Sequence, residues 1–465
     1  MSASHDPAAP RSLFGARDES PRYMSREACE ALYQRAVALA QGGGEVAVSV
    51  DSNWRGSLRW ASNRIVTSGD SRDHQLVVTR VINGARGSAT TNRLDDDGLR
   101  EALRIAERNL RLFREWPDAG RLPGALPHAR PEIFFPSSYD LDAAARSAVG
   151  RKLVEPAIAK DLLASGYIET SAQARAVRNT SGTDAWHAIT SAQYSVTVRN
   201  REGTGSGWAG GDAHDWARLD TAAISERALR KCEQSASPKA IEPGRYTVIL
   251  EPQAVHDLMM PAIRALDRYQ AENNLTVYTR SPGQSKIGMQ LLDSRITIST
   301  DPNDPECGYL PFDWWGDPFQ ATTWFRNGVL EALAYDRNYA ITQMGEAAPR
   351  PNPFAYRMSG GDATVGQMIA DTTRGLLVTR LSDVRVIDGP SLLCSGTTRD
   401  GLWLIENGQV SHPIRNFRFN ESPMFVFNAV DEIGRPQRVF GDRWPAIVPP
   451  VKARDFNFTS LADAV

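Results

Sequence analysis

The stretch HQLVVTRVINGARGSATT, residues 74–91, predicts a β-hairpin. Apolar and polar residues alternate on both sides of Asn83-Gly84, and a two-residue turn needs positive φ at both positions, which Asn-Gly tolerates. The preceding runs EVAVSVDS (45–52) and GSLRWASNRIVTS (56–68) alternate in the same way. Residues 45–91 therefore predict a set of paired strands.

Helical patterns flank these strands, and the same theme returns later in the chain. The first helices are SREACEALYQRAVALAQ (25–41) and DDDGLREALRIAERNLRLFREW (95–116). The second round comprises a helix at 141–165, strands at 166–182 and 187–203, and a helix at 221–235. The N-terminal half thus predicts two rounds of one helix-and-strand unit.

From GRYTVILEP (244–252) onward the chain predicts short strands, many turns and few helices, including Asn-Gly hairpins at Asn327-Gly328 and Asn407-Gly408. The fold class is α+β: an N-terminal α+β domain of repeated units, then a mostly-β domain with short helices. We expect a flexible N-terminus at 1–22, the first domain at 23–238 with a Pro/Gly-rich linker at 117–137, and the second domain at 239–465.

Composition excludes several classes of function. The 465 residues include 53 basic and 55 acidic side chains, a net charge of −2, so a nucleic-acid partner is not expected. No apolar run is long enough for a membrane span, and the N-terminus lacks the pattern of a signal peptide. The 4 scattered cysteines match no disulfide or zinc spacing, so we expect a cytoplasmic protein.

Local cofactor motifs are weak. GSGWAG (205–210) has the glycine spacing of a dinucleotide site but lacks the helix and acidic strand end that such a site needs, so we interpret it as a hairpin or loop. No two of the 7 histidines have the helical spacing of a zinc pair. Ligands from distant segments stay open.

PQAVHDLMMPAIRALDRYQAENN (252–274) predicts one amphipathic helix. Pro252 suits its first turn, and Pro261 in its interior is expected to kink it. From these residues alone His256 is interpreted as an ordinary helix histidine. Elsewhere, the adjacent Trp314 and Trp315 predict either a contact surface for a peptide or partner, or burial at a domain junction.

Five segments, in this order, resemble the TldD/PmbA family, once described as modulators of DNA gyrase. They are RWASNRI (59–65), VINGARGSATTNRLD (81–95), TRGLLVTRL (373–381), SGTTRDGLWLIENGQVSHPI (395–414) and FRFNESPMFVFNAVDEIG (417–434). The resemblance extends from about residue 30 to the end. It implies cytoplasmic two-subunit proteases that cut unfolded peptides, with one TldD-type and one PmbA-type (TldE) subunit.

In TldD-type chains of this family a helix carries HExxxH, whose histidines bind zinc and whose glutamate is the general base, with a distant C-terminal cysteine as a further ligand. Placed on HDLMMP, this pattern puts His256 at the first ligand, Asp257 at the base and Pro261 at the second ligand. Proline has no donor, aspartate is one methylene shorter than glutamate, and the C-terminal tail contains no cysteine.

The resemblance is therefore closer to the PmbA-type subunit. It implies that this chain binds no metal itself, that zinc lies in a TldD-type partner, and that the two form a heterodimer or larger assembly acting on extended peptides. His256 and Asp257 stay as weak catalytic candidates. Substrate or partner contacts are predicted for polar residues of the matching segments, although turn structure explains them equally well: Thr398, Arg399, Asp400, Asn416, Arg418, Asn420 and Glu421.

Two other functions stay open. One is a self-sufficient metallopeptidase that combines His256 with His412 or His214. The other is a peptide-binding protein without enzymatic activity.

Overall fold

The computed structural model describes residues 22–110, 122–345, 348–441 and 444–462. The predicted flexible stretch 1–22 lies outside these residues except for Arg22. The first part of the predicted linker 117–137 lies outside them as well.

The N-terminal half builds one six-stranded antiparallel sheet in the order β3-β2-β1-β4-β5-β6. Its first round is α1 (Arg26–Leu39), β1 (Glu45–Ala61), β2 (Arg64–Ile82), β3 (Ala85–Thr91) and α2 (Asp96–Asn109). After a short helix α3 (Pro136–Tyr139), its second round is α4 (Ala143–Ala159), β4 (Leu162–Asn179), β5 (Asp184–Asn200), β6 (Ser206–Ala213) and α5 (Thr221–Gln234). The predicted repeat is confirmed, and the rounds meet where β1 pairs with β4.

The helices pack on one face of this sheet. Alternate residues of β1, such as Val48 and Leu58, enter two apolar clusters, one against α1 and α2 and one against α4 and α5. Because side chains alternate across a strand, the intervening residues point to the opposite face. That face carries mostly polar side chains and is turned toward the C-terminal half.

One boundary differs from the predictions, and one open alternative is decided. Residues 162–165 belong to β4 and not to the preceding helix, which ends before Asp161, a residue in the left-handed region at φ 54°. The hairpin alternative for GSGWAG is confirmed, because β5 and β6 pair antiparallel and the last five residues of the motif lie in β6. A Cβ on Gly207 would lie 2.2 Å from the Ala228 carbonyl oxygen in α5, so glycine permits the close approach of strand and helix.

The C-terminal half contains short strands in two larger sheets and one small one. The nine-stranded sheet has the order β15-β16-β19-β23-β7-β14-β17-β18, with β20 beside β23; the second sheet has the order β12-β11-β10-β13-β22-β21; β8 pairs with β9. The strands are β7 (Gly244–Leu250), β8 (Thr279–Ser281), β9 (Gln284–Ser285), β10 (Ile298–Thr300), β11 (Thr322–Arg326), β12 (Val329–Leu330), β13 (Tyr356–Met358), β14 (Arg374–Val378), β15 (Leu381–Asp388), β16 (Leu393–Thr398), β17 (Leu402–Glu406), β18 (Gln409–Pro413), β19 (Phe417–Glu421), β20 (Val430–Ile433), β21 (Gln437–Arg438), β22 (Ala446–Val448) and β23 (Val451–Leu461).

Five α-helices accompany these strands in the described part of this half: α6 (Pro252–Arg264), α7 (Arg268–Glu272), α8 (Arg337–Tyr339), α9 (Val365–Ala370) and α10 (Pro423–Val426). A π-helical turn, Ala340–Met344, follows α8 directly. The α+β fold class is confirmed. None of the helices that the structure describes is long and apolar enough to cross a bilayer.

All three Asn-Gly turns are confirmed. Asn83, Asn327 and Asn407 have φ of 51°, 49° and 50°, and each following glycine has φ of 77° or 78°. These are the positive angles that the two-residue turn requires.

The predicted single helix at 252–274 is two helices. α6 ends at Arg264, three residues beyond Pro261, and α7 begins after Asp267. The break occurs because the Asp267 carboxylate caps the new helix by accepting a hydrogen bond from the Gln270 backbone N–H at 2.8 Å.

Candidate active-site cleft

A cavity of about 750 Å³ lies between the polar face of the N-terminal sheet and loops of the C-terminal half, and we call it the main cleft. Its floor consists of side chains from β1, β4 and β5, including Asp51, Gln173 and Gln193. Its opposite wall includes Trp314, Phe354 and other residues of the second half. This volume falls in the range of ligand pockets, about 300–1,000 Å³.

Strand register places the polar floor residues in rows. Asp51 on β1 lies directly opposite Arg175 on β4, and Asn53 lies opposite Gln173. The buried Asp51 carboxylate accepts hydrogen bonds from Arg175 at 2.7 Å and from the Gln173 amide at 2.8 Å. The ion pair and the additional hydrogen bond from the Gln173 amide hold the floor in one arrangement.

A second row crosses β4 and β5. Glu169 accepts hydrogen bonds from the Tyr167 hydroxyl and, at 3.2 Å, from the Gln193 amide. Burial and the neighbouring carboxylate raise the pKa of Tyr167 to about 12, so the phenol stays protonated. The floor thus offers uncharged donors and acceptors beside carboxylates.

Trp314 and Trp315 are half-buried where the two halves meet, and Trp314 also lines the main cleft, so neither of their two sequence interpretations is eliminated. The Arg175 guanidinium lies 4.5 Å from the ring centroid of Trp314, and that of Arg86 lies 4.3 Å from Trp315. Ser49 donates its hydroxyl to the Trp314 carbonyl at 2.7 Å. The tryptophans therefore join the two halves by cation–π contacts and a hydrogen bond.

His256 lies on α6 and points into the protein interior. It is 6% exposed, and its Nδ1 shares a 3.1 Å hydrogen bond with the Tyr356 hydroxyl. Burial lowers the pKa of His256 to about 4, against the opposing effect of the Asp212 carboxylate. At neutral pH this imidazole is uncharged.

Asp257, the next residue, is held by two hydrogen bonds. Its carboxylate accepts one from the Leu381 backbone N–H at 2.9 Å and one from the Gln253 amide at 2.9 Å. Burial raises the pKa of Asp257 to about 6, although both hydrogen bonds and Arg380 act against that rise. The side chain joins α6 to the start of β15.

The other two histidines of the metal hypothesis lie in different surroundings. His214 lines the main cleft, but each of its ring nitrogens lies 2.8 Å from a carbonyl oxygen, that of Thr190 or Gly308. His412 lies on β18 and lines a different cavity. Across the described ranges, no three His, Cys, Asp or Glu side chains are grouped closely enough to hold a metal ion.

The predicted contact residues of the β half lie around one turn and one strand. Asp400, at φ 57°, accepts hydrogen bonds from Ser206 at 2.5 Å and Arg380 at 2.9 Å. Asp400 and Asn416 line a third cavity of about 580 Å³. Arg399 follows Thr398 in the chain, and its backbone N–H donates to the Arg380 carbonyl at 3.3 Å.

The remaining members of this set lie on β16 and β19. The Thr398 hydroxyl is buried, donates to Asn416 and accepts from the Phe417 N–H at 2.9 Å. Glu421 is buried and accepts from the backbone N–H groups of Ser422 and Asn457. Arg418 is exposed, and Asn420 is half-buried. Their role in substrate or partner contact stays a prediction.

Sequence reasoning missed the cleft floor and Tyr356. The alternation of polar with apolar residues in β1 and β4 was a usable signal for a polar sheet face. Nothing local marks Tyr356, which comes 100 residues after His256 in the chain.

Comparison with known proteins identifies the family. Residues 46–110 match the model of the PmbA/TldA metallopeptidase domain 1, and residues 243–460 match that of the PmbA/TldA metallopeptidase C-terminal domain. The chain belongs to the PmbA/TldD family of metallopeptidases. A curated Methanothermobacter thermautotrophicus protein named metalloprotease is 23% identical over 225 residues, which are 46% of this chain and 47% of that protein. The chain thus matches about half the length of this relative.

Solved structures share the whole architecture. A Thermotoga maritima protein described as a modulator of a DNA gyrase has a TM-score of 0.82 and 19% identity, covering 92% of this chain and all of that one. A Bacteroides thetaiotaomicron protein described in similar words has a TM-score of 0.80 and 18% identity, with coverage of 93% and 98%. TldE from Thermococcus kodakarensis has a TM-score of 0.80 and 16% identity, with coverage of 92% and 99%. At these identities the likeness establishes the fold.

Proposed function

We propose that this chain is the PmbA-type subunit of a cytoplasmic two-subunit zinc metallopeptidase that cuts extended peptides. In this proposal a TldD-type partner holds the zinc, and this chain binds substrate and completes the assembly. The chain divides into an N-terminal domain to residue 238 and a C-terminal domain from residue 239. In support of that division, no described strand up to Ala213 pairs with a described strand after Gly244.

The observation that carries the proposal is the arrangement of polar groups on α6. Pro261 offers no metal-donor atom, Nδ1 of His256 is hydrogen-bonded to the Tyr356 hydroxyl, and the Asp257 carboxylate accepts hydrogen bonds from Leu381 and Gln253. A zinc centre needs three protein donors converging at about 2 Å, with room for water. The residues on this helix do not fit such a centre.

Zinc in the partner would polarise a peptide carbonyl and lower the pKa of a bound water. The part assigned to this chain is positioning. The floor of the main cleft presents amide and carboxylate groups such as Gln173 and Glu169, which match the donors and acceptors of a peptide backbone. Recognition through the main chain tolerates many sequences, as expected for a peptidase of unfolded chains.

The cytoplasmic location is supported by the cysteines. Cys29, Cys232, Cys307 and Cys394 are all free and buried. Unpaired cysteines are usual in a reducing compartment.

Metal analysis of the purified chain tests the proposal directly. We expect far less than one zinc per chain when it is prepared alone, and peptidase activity on an unfolded casein substrate only after a TldD-type chain with an intact HExxxH is added. The control is the partner alone, assayed for zinc and activity under the same conditions.

Two results would contradict the proposed function. One zinc per chain, together with peptidase activity that His256→Ala abolishes in the isolated protein, would replace the proposal with a self-sufficient metallopeptidase. If this chain binds peptide but shows no peptidase activity with any TldD-type chain tested, the result would instead favour a peptide-binding protein.

A further inference from the structure

The cavity that His412 lines has a volume of about 570 Å³, and we call it the basic cavity. It shares one described lining residue, Arg438, with the main cleft. Its lining includes β6, β18 and β21, each of which is the last strand of its sheet. Because the three sheets end here, they leave a gap, which α5 and the start of α6 also border. The volume falls in the range of ligand pockets, about 300–1,000 Å³.

Cations predominate in the lining of the basic cavity. Arg230 and Lys231 follow Arg227 on α5 by three and four positions, so their Cβ atoms lie about 5–6 Å from that of Arg227 on one face of the helix. Arg438 on β21 is a fourth cation, and Glu251 is the only carboxylate among the described lining residues. In a chain of net charge −2, this cavity is a local excess of positive charge that attracts anions.

The single carboxylate is already compensated. Lys231 donates a hydrogen bond to Glu251 at 2.7 Å, and the two side chains are 11% and 24% exposed. Opposite charges this close together largely cancel at the distance of a ligand. The net positive charge of the cavity therefore comes from its arginines.

These arginines have donors left for a ligand. Arg227 has no hydrogen-bond or ion-pair partner among the described residues. Arg230 lies 3.7 Å from Glu226, but both side chains are more than half exposed, and such pairs contribute little. Arg438 donates from Nε to Asp212 at 2.6 Å, and its two terminal nitrogens have no partner in the described ranges.

Aromatic and apolar surface completes the lining. Trp208, the tryptophan of GSGWAG, is half-buried there. Trp403 is 5% exposed, and its ring nitrogen donates to the Gln234 carbonyl at 3.2 Å. The other apolar side chains of the lining include Val365, Leu377, Val410 and Val439. A ligand in this cavity therefore meets apolar surface as well as cations, and an inorganic ion would use only the cations.

We propose that the basic cavity binds a small organic phosphate with an aromatic body, as in a nucleoside monophosphate. A phosphate monoester carries about −1.5 to −2 charges at pH 7 and presents three acceptor oxygens. It therefore matches several guanidinium groups, each of which binds phosphate through paired N–H donors. A single carboxylate has one charge and two oxygens and would leave arginines unused. The inference does not rest on the proposed function, and its test involves no peptidase substrate.

Calorimetric titration of the full chain tests the two parts of the ligand separately. The probes are adenosine 5′-monophosphate, adenosine and inorganic phosphate at one ionic strength, since salt screens charge contacts. We expect one nucleotide per chain, bound at least roughly tenfold more tightly than either part, because each part lacks one set of contacts. Phosphate bound as tightly as the nucleotide would indicate an adventitious ion only. That result, equally tight adenosine, or no nucleotide binding at millimolar concentration would overturn the proposal.

A matched pair of variants locates the site. Arg230 on α5 and Arg100 on α2 are each 55% exposed, and each pairs with an acidic residue one turn earlier on its own helix. We expect Arg230→Gln to weaken nucleotide binding roughly tenfold, as for a lost hydrogen bond to a charged group, and Arg100→Gln to leave it within about twofold. Adding Arg227→Gln to Arg230→Gln should weaken binding further.

Equal effects of Arg230→Gln and Arg100→Gln would place the nucleotide elsewhere and overturn the proposal. Both arginines are exposed, so the single variants should fold, which circular dichroism checks. If the double variant fails to fold, the two single variants decide.

Discussion

The rings of His256 and Tyr356 stack with their planes 14° apart and their centroids 5.8 Å apart, and the tyrosine hydroxyl lies 3.1 Å from Nδ1 of the histidine. Both side chains are buried. The residue that the family resemblance assigns to a metal is thereby joined to the protein core. Burial favours the neutral form of the His256 imidazole, and the Tyr356 ring and hydroxyl hold it in place.

Tyr356→Phe should destabilise the protein. It removes the hydroxyl but leaves the buried His256 nitrogen without a partner, which costs about 1–3 kcal/mol in the free energy of unfolding. Urea unfolding at pH 7 measures the loss. The control is Tyr269→Phe, because Tyr269 is 58% exposed and its loss should change stability by less than about 0.5 kcal/mol. Equal effects in the two variants would show that the His256–Tyr356 bond contributes nothing.

Stability between pH 4 and 6.5 should depend on His256 and Asp257 in opposite directions. The pKa of His256 is lowered to about 4, so its contribution is present above pH 6.5 and is lost as the pH falls toward 4. The pKa of Asp257 is raised to about 6, so its contribution is present below pH 3.8 and is lost as the pH rises through 6. Each amounts to roughly 2–3 kcal/mol.

Two variants separate these contributions. In His256→Gln only the aspartate dependence survives, so the acid-induced loss of stability should be smaller than in the unaltered protein. In Asp257→Asn that loss should be larger. Guanidinium midpoints at half-unit pH steps measure both, and parallel curves for all three proteins would contradict the assignment.

Removing only one member of the Asp51–Arg175 pair should strongly destabilise the protein. The side chains are 6% and 11% exposed, so either Asp51→Asn or Arg175→Met leaves an unpaired buried charge or dipole and costs about 3–5 kcal/mol. The double variant should lose less than the sum of the two single variants. Thermal unfolding of the four proteins gives the coupling energy, and strict additivity would show that the pair does not interact.

Filling the main cleft should reduce peptide binding without unfolding the protein. Ser191 lines the cleft, and Ser195 lies on the same face of β5 but outside it. We expect Ser191→Trp to weaken binding of an unfolded fluorescent peptide at least tenfold, as measured by anisotropy, and Ser195→Trp to leave it within twofold. Equal affinities would place the peptide elsewhere.

Gly207→Ala should be severely destabilising. The added Cβ would lie 2.2 Å from the Ala228 carbonyl oxygen and 2.4 Å from the Cys232 nitrogen, both backbone atoms that cannot rotate away. We expect a loss of about 2–3 kcal/mol, as for an overpacked core. Gly366→Ala in α9 is the control, because the added Cβ would meet only the Thr364 hydroxyl, at 3.9 Å. This substitution should raise the stability by about 0.4–1 kcal/mol. Urea midpoints compare the two.

Local features of the fold followed from the sequence because they depend on neighbouring residues. The turn at Asn83-Gly84, the helix of α5 and the alternation in β1 each need only a few adjacent side chains. The end of α6 did not follow, since the apolar pattern continues to Leu266 while the Asp267 cap starts a new helix. The sequence left GSGWAG open between a hairpin and a loop for a related reason: its glycines reflect the packing of α5, which the local pattern does not report.

The sequence by itself determined the strand-and-helix repeat, the β-rich second half, and the substitution of Pro261 for a metal donor, since these depend on residue type and short spacing. Only the tertiary structure decided that the Tyr356 hydroxyl is hydrogen-bonded to His256 and that the Leu381 backbone N–H donates to Asp257. It also decided that the polar face of the first sheet lies against Trp314 and forms a cleft. Those contacts join residues 100 or more positions apart. Their energies come from burial and pairing of groups that no local pattern brings together.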